Sequence, residues 1–382
     1  MDTIATAQIS TDEFPILQHG LYANHAAMAP WPRVTRDAVI AFAEENCQLG
    51  PEKYACWLLR ETGLRERLAK LINASCANDI ALLKNTTEGI CTVASGIDWH
   101  KGDNLVLPLH EFPSNHLPWL ALQELGVEIR QVDIRSCSDP EQALLARMDK
   151  RTRLLAVSAV QWIDGLRLPL ASLGAACRNA GVLFFVDAIQ HLGALQMDVQ
   201  ACHIDFLAAD GHKWLLAPEG IAVFYCRAGV RDQLKLQQHG WRMVDEPYQF
   251  DRDNWLPSDS AIRFEAGSPN MLGQTALHAS IGLLQEVGMH KVEACIAENS
   301  LILSDGLSDI AGIELVRSFD PNSFSGIVSF RTPGRDLLEI HRNLKKRHLG
   351  CVIRGDAIRL SPHFYQAGEP VYEILDVIEN SI

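Results

Sequence analysis

Between Asp79 and Cys226 short apolar runs alternate with longer amphipathic ones, and this alternation constrains the fold more than any other feature of the chain. Ile80–Leu83, Asn104–Leu107, Glu128–Val132, Leu154–Val160, Leu183–Val186, Phe206–Ala208 and Ile221–Tyr225 read as strands; Glu141–Met148 and Leu170–Ala180 are the clearest intervening helices. Strands this apolar need cover on both faces, so the pattern predicts an α/β fold with a mainly parallel sheet between helices. Ligand chemistry in such sheets gathers just past the carboxyl ends of strands.

A stretch rich in Asp, Pro, Trp and Gln, roughly Gly240 to Ser260, breaks the alternation. Helical patterns follow over Thr275–Val287 and Val292–Leu307, then mixed strand and helix. The expected organisation is an amino-terminal arm over 1–20, a large domain over 21–274 and a smaller α+β domain over 275–382. A formal charge of -13 disfavours nucleic acid and anionic membrane surfaces as partners and points to a small ligand. The ten cysteines stand singly, without a CxxC pair or a neighbouring His cluster, as expected of reduced thiols in a cytoplasmic protein. Met1–Leu17 carries three acidic residues and lacks the apolar core of a signal peptide, and no stretch approaches the ~20 apolar residues that span a bilayer.

Two charged groups fall at the strand ends where chemistry is expected. Asp187 closes Phe185-Val186-Asp187, and Lys213 follows the next strand twenty-six positions later, within Ala209-Asp210-Gly211-His212-Lys213-Trp214. Each alone reads as an ordinary solvated charge. Together they suit pyridoxal 5′-phosphate: a lysine amine forms a Schiff base with its aldehyde, and a carboxylate keeps its pyridine nitrogen protonated and electron-withdrawing.

Three further segments fit around that pair. Lys84-Asn85-Thr86-Thr87-Glu88-Gly89 runs from strand into helix, placing hydroxyls and free amides where a helix start binds an anion. Its bland reading is a Thr N-cap with Glu88 in the first turn. Phe112, in His110-Glu111-Phe112-Pro113, can project a ring over the cofactor's face, although a Phe beside a Pro is more often simple packing. Gln190 lies about one turn past Asp187, within reach of the cofactor's 3-oxygen.

These residues resemble the class V aminotransferase family, which includes the cysteine desulfurases, selenocysteine lyases and isopenicillin N epimerase-like enzymes of the type I pyridoxal-phosphate fold. Val186-Asp187-Ala188-Ile189-Gln190 and Gly211-His212-Lys213, in family order and spacing, carry the resemblance most specifically. It implies that Lys213 is the covalent attachment point and proton carrier, that Asp187 pairs with the pyridinium, and that Phe112 stacks on the ring. It also implies that Thr86, Thr87 and His212 hold the phosphate, that Gln190 meets the 3-oxygen, and that Arg359 binds the substrate's α-carboxylate. Ser268 would reach the phosphate of a neighbouring subunit, making a homodimer with composite sites, and Asn24 and His25 would line the substrate pocket.

The chain departs from the desulfurases in ways that bear on reaction type. Val352-Ile353-Arg354-Gly355-Asp356-Ala357-Ile358-Arg359 leaves no room for the mobile loop that carries their reactive cysteine, and Cys351 reads as a packed core residue. Asp210 replaces a phosphate-binding Ser, and Gln161-Trp162 occupy the place of a cofactor-contacting Asn. Transamination of an α-amino acid needs only the groups named and is the first expectation. C–S β-elimination from a cysteine-type substrate comes next, then epimerisation, which needs a second acid. A non-catalytic cofactor-binding protein is the non-enzyme alternative, and a metal hydrolase is weaker because the fourteen histidines lack ligand spacing.

Overall fold

A computed structural model describes residues 11–251 and 255–382, so the first ten positions of the expected arm lie outside the described residues. Seven strands make the central sheet: β1 (Ile80–Leu83), β2 (Asn104–Pro108), β3 (Glu128–Val132), β4 (Thr152–Ser158), β5 (Leu183–Asp187), β6 (Phe206–Asp210) and β7 (Ala222–Cys226). Their spatial order is β1-β7-β6-β5-β4-β2-β3, and only β7 runs against its neighbours. The predicted α/β architecture with a mainly parallel sheet is therefore the observed one.

Strands β1, β2, β6 and β7 are buried at every position, which is why their sequences are apolar without alternation. The two sheet faces feed separate cores: Phe184, Val186, Leu207 and Ala209 point into one, and Phe185, Phe206 and Ala208 into the other. Strands β5 and β6 run on to Asp187 and Asp210, past their apolar runs, because ladder pairing continues to Ala208 and Ala222. The expected helix Glu141–Met148 is a shorter turn, Pro140–Leu145, started by Asp139, whose carboxylate accepts the Gln142 amide at 3.0 Å. Helix Leu170–Ala180 stands where its pattern placed it. Two helices that the pattern did not signal, Arg33–Leu49 and Tyr54–Leu71, pack on Met271–Val287.

A second, antiparallel sheet holds β8 (Glu314–Leu315), β9 (Val328–Arg331), β10 (Val352–Arg354) and β11 (Ala357–Leu360), in the order β10-β11-β9-β8. Its core joins helices Met289–Asp309, Leu337–Lys346 and Glu369–Glu379 through Leu303, Leu344, Ile374 and Phe330. Leu21–Tyr22 pairs in parallel with Leu349–Gly350, and Asn24 bridges to Ser361, so the chain's beginning is stitched to its end. Among the described residues no helix is long and apolar enough to cross a membrane.

Candidate active site

Lys213 sits in a tight turn past β6. The Gly211 amide donates to Ile221 O at 2.9 Å, Ala217 closes back on Gly211 O at 2.9 Å, and Leu216 donates to Lys213 O at 3.0 Å. Leu216 is fully buried at φ 59°, a left-handed conformation that costs a leucine free energy and that only surrounding packing can hold. Gly193, at φ 93°, passes so close that an added Cβ would lie 2.1 Å from Trp214 O, so no other residue fits there. The lysine is 8% exposed, and its amine is lowered to about 8, first by burial and then by Arg359 and Arg354, against the pull of Asp187 and Asp210. Its Nζ faces the Phe112 ring, 5.6 Å from the centroid.

Asp187 ends β5 directly opposite Ser158 of β4. Burial raises its carboxyl to about 6, although the Ile189 amide, 3.0 Å from Oδ1, and the Lys213 charge hold it down. No arginine pairs with it among the described residues, so it is free for a cationic ring nitrogen. Gln190 Nε2 donates to Ala26 O at 2.9 Å and Oε1 accepts from Trp214 Nε1 at 3.0 Å, leaving one amide hydrogen for a ligand.

The helix Thr86–Gly96 is capped by Asn85, which accepts the Glu88 amide at 2.9 Å, and not by a threonine; this corrects the bland sequence reading. Neither threonine hydroxyl is spent on capping. Thr86 Oγ1 is buried without a partner, and Thr87 Oγ1 donates to Ser114 at 2.8 Å. Asp210 Oδ1 lies 3.0 Å from His212 Nδ1 without a hydrogen bond between them, and both atoms are buried without a partner. Ser268 is exposed in the loop before Met271 and makes no hydrogen bond to these groups.

Arg359 lies on β11, 1% exposed, with Nη1 donating to the Trp162 carbonyl at 2.6 Å. Its Nε and Nη2 have no partner, and burial with Arg354 nearby pushes the guanidinium down to about 9. Arg354, half-buried at the end of β10, makes no hydrogen bond or ion pair among the described residues. Asn24 Oδ1 is likewise buried and unpartnered. His25 is committed elsewhere: Nδ1 pairs with Ser361 O at 2.9 Å and Nε2 with Tyr365 Oη at 2.6 Å. Buried polar atoms without protein partners are rare; Thr86 Oγ1 and two Arg359 nitrogens fit an anionic ligand, and Asn24 Oδ1 fits a hydrogen-bond donor.

Cys351 is 4% exposed in the core of the antiparallel sheet, its thiol pushed up to about 12 by burial, and the segment after it is a tight hairpin, Val352–Arg354 to Ala357–Leu360. Two groups of the site that the sequence did not single out are Arg354 and Glu111; the latter is 5% exposed and hydrogen-bonded to Ser158 and Gln161, 47 and 50 positions away. A cleft of about 530 Å³ lined by Arg153, Arg178, His203 and Arg227 lies at the amino ends of the strands, and no candidate residue borders it. Among the described residues no cluster of three His, Cys, Asp or Glu could hold a metal ion.

The family model described as aminotransferase class-V matches residues 58–363. The chain is 31% identical to the "Probable cysteine desulfurase" of Methanothermobacter thermautotrophicus over 96% of each chain. Among solved structures it is similar to the cystine C-S lyase C-DES in complex with its reaction product cysteine persulfide, at 25% identity and a TM-score of 0.88, covering 96% of this chain and 99% of that one. A C-DES mutant with glycine covalently linked to the PLP cofactor superposes with a TM-score of 0.89 at 24% identity, over 97% of this chain and 99% of that one. On the matched family model and the extent of the first relationship, the chain belongs to the class V aminotransferase family.

Proposed function

We propose that the chain is a C–S β-lyase that uses pyridoxal 5′-phosphate to act on a cysteine-type amino acid. The observation that carries the amino-acid part is the unpaired, buried edge of Arg359, whose charge is felt at the Lys213 amine. Transamination, the first expectation, gives way to elimination because the relatives are a desulfurase and a C-S lyase. The buried Cys351 and its tight hairpin support departure of sulfur with the substrate's own fragment, with no transfer to an enzyme thiol.

In this reading Lys213 is the covalent attachment point, Asp187 meets the ring nitrogen, Phe112 covers the ring face, and Thr86, Thr87 and His212 hold the phosphate. Gln190 offers its remaining amide hydrogen to the 3-oxygen. The bound cofactor supplies a conjugated, electron-withdrawing ring that takes up the electron pair left when the α-proton departs. Arg359 grips the substrate's α-carboxylate with Nε and Nη2 in the forked geometry that guanidinium groups favour. Lys213, an amine lowered to about 8, is a base close to neutral pH and takes the α-proton. The carbon–sulfur bond then breaks, and sulfur leaves with its bonding electrons as a thiolate or persulfide. Arg354, free beside Arg359, suits a second carboxylate, as in a disulfide-linked amino acid.

A homodimer belongs to the same proposal. Ser268 is exposed, as a residue serving a neighbouring subunit must be, and Leu59, Phe250 and Leu256 expose apolar side chains at 72%, 76% and 78%. Asn24, with a free buried oxygen, fits the pocket wall, and His25 supports it from behind. The division at residues 20 and 274 is kept as part of the proposal. Purified holoenzyme titrated with amino acids tests the reading: a change in the cofactor's visible spectrum supports an enzyme acting on them, and no change supports a non-catalytic protein.

A further inference from the structure

Glu111 is a buried carboxyl with an unusual set of neighbours. It accepts the Ser158 amide at 2.7 Å, a short hydrogen bond from Ser158 Oγ, and Gln161 Nε2 at 3.1 Å. No lysine or arginine pairs with it among the described residues, and burial raises it to about 7, with the Asp187 charge adding to the effect. A buried carboxyl without a cation is costly unless hydrogen bonds compensate it. Here the two oxygens gather three donors from two positions of one segment.

That segment is tied to the Glu111 strand end at two more points. Trp162 Nε1 donates to His110 O at 3.0 Å, and the Trp162 ring meets Phe112 edge-on at 5.4 Å. Residues 110–112 and 158–162 are thus zipped together, with Glu111 in the middle. The far end of the zip is the Trp162 carbonyl, the single group among the described residues that hydrogen-bonds the Arg359 guanidinium.

We infer that Glu111 is a positioning residue that sets the Arg359 guanidinium for carboxylate binding through Gln161 and Trp162. The inference rests on the amino-acid reading above and adds a residue to it. Without Glu111 the Gln161 amide and the Ser158 hydroxyl lose their acceptor, and the segment that carries the Trp162 carbonyl keeps only its ties through Trp162 itself and the Leu166 and Gly165 backbone. Arg359 would then keep its charge and lose its aim. A glutamine keeps the shape: its oxygen accepts the Ser158 and Gln161 N–H groups, and its NH₂ donates to Ser158 Oγ.

The test is ligand binding by holoenzyme, read from the cofactor's absorbance, with glycine and with ethylamine, which has the amine and lacks the carboxylate. Glu111→Ala is expected to weaken glycine roughly tenfold and ethylamine less than about twofold, and Glu111→Gln to restore glycine binding. Should Glu111→Ala fail to fold, Gln161→Ala cuts the same tie from the other side, with a glycine-selective loss of about threefold expected. Equal losses for both ligands, or no loss with either, overturn the assignment while wild type still responds to glycine. A wild type blind to glycine removes the amino-acid reading itself and the assignment with it.

Discussion

Arg359 gives one hydrogen bond to the Trp162 carbonyl at 2.6 Å and leaves Nε and Nη2 unpaired at a position 1% exposed. A guanidinium is seldom buried with half its donors idle, because each unmet donor forfeits its hydration. The arrangement makes sense as half of a forked pair whose other half is a carboxylate. Arg359→Ala should raise the apparent dissociation constant for amino acids about 30- to 100-fold and leave cofactor retention nearly unchanged. Titration of both ligands measures this, and parallel losses would make the arginine structural.

In the proposed function Arg354, whose charge acts on both Lys213 and Arg359, is the second cation. Arg354→Ala should raise KM for cystine roughly tenfold and change KM for S-methylcysteine, which has one carboxylate, by less than about twofold. Equal effects on the two substrates would remove the second-carboxylate role.

Lys213→Ala should abolish the borohydride-reducible linkage to the cofactor and lower turnover by about a thousandfold or more. Mass spectrometry of the reduced protein reads the linkage directly, and an adduct surviving in the variant would place the attachment elsewhere.

Glu111 makes a prediction about pH. Its carboxyl stands at about 7 in the folded chain against an ordinary value of 4.5, so between those values the folded state binds more protons than the unfolded one. Stability from this group is complete below about pH 4.5 and is lost as pH rises through 7. Glutamine cannot ionise, so apo Glu111→Gln should match wild type near pH 4.5 and exceed it by on the order of 2 kcal/mol near pH 8. Urea unfolding at the two pH values checks the sign; a gap that closes as pH rises contradicts it.

Cys351→Ser should keep activity within about twofold and cost about 1–2 kcal/mol of stability, since a hydroxyl replaces a buried thiol in an apolar core. A folded, inactive variant would return the reactive-cysteine route.

Much of this was legible in the chain because buried strands announce themselves as apolar runs bounded by turns. Leu170–Ala180 and Glu128–Val132 were readable to the residue, while β5 and β6 ended late, since Asp187 and Asp210 are polar residues held in the ladder by their neighbours. Helices Arg33–Leu49 and Tyr54–Leu71 escaped because their composition is more polar on average than that of Leu170–Ala180, and Arg33–Leu49 buries only Thr35. At the site, Lys213 and Asp187 were visible from motif order. Glu111 was not, because its partners come from another strand end, and one sequence does not show which distant donors converge on a carboxyl. The Asn85 cap was hidden by two adjacent threonines of similar capping strength.

The most direct test of the central claim is product analysis of holoenzyme with cystine under anaerobic conditions, scoring pyruvate, persulfide sulfur and the pyridoxamine form of the cofactor together. The account predicts pyruvate and persulfide in equal amounts over many turnovers, with the cofactor remaining in its aldehyde oxidation state. Stoichiometric pyridoxamine and a keto acid that retains its sulfur would contradict it and establish transamination.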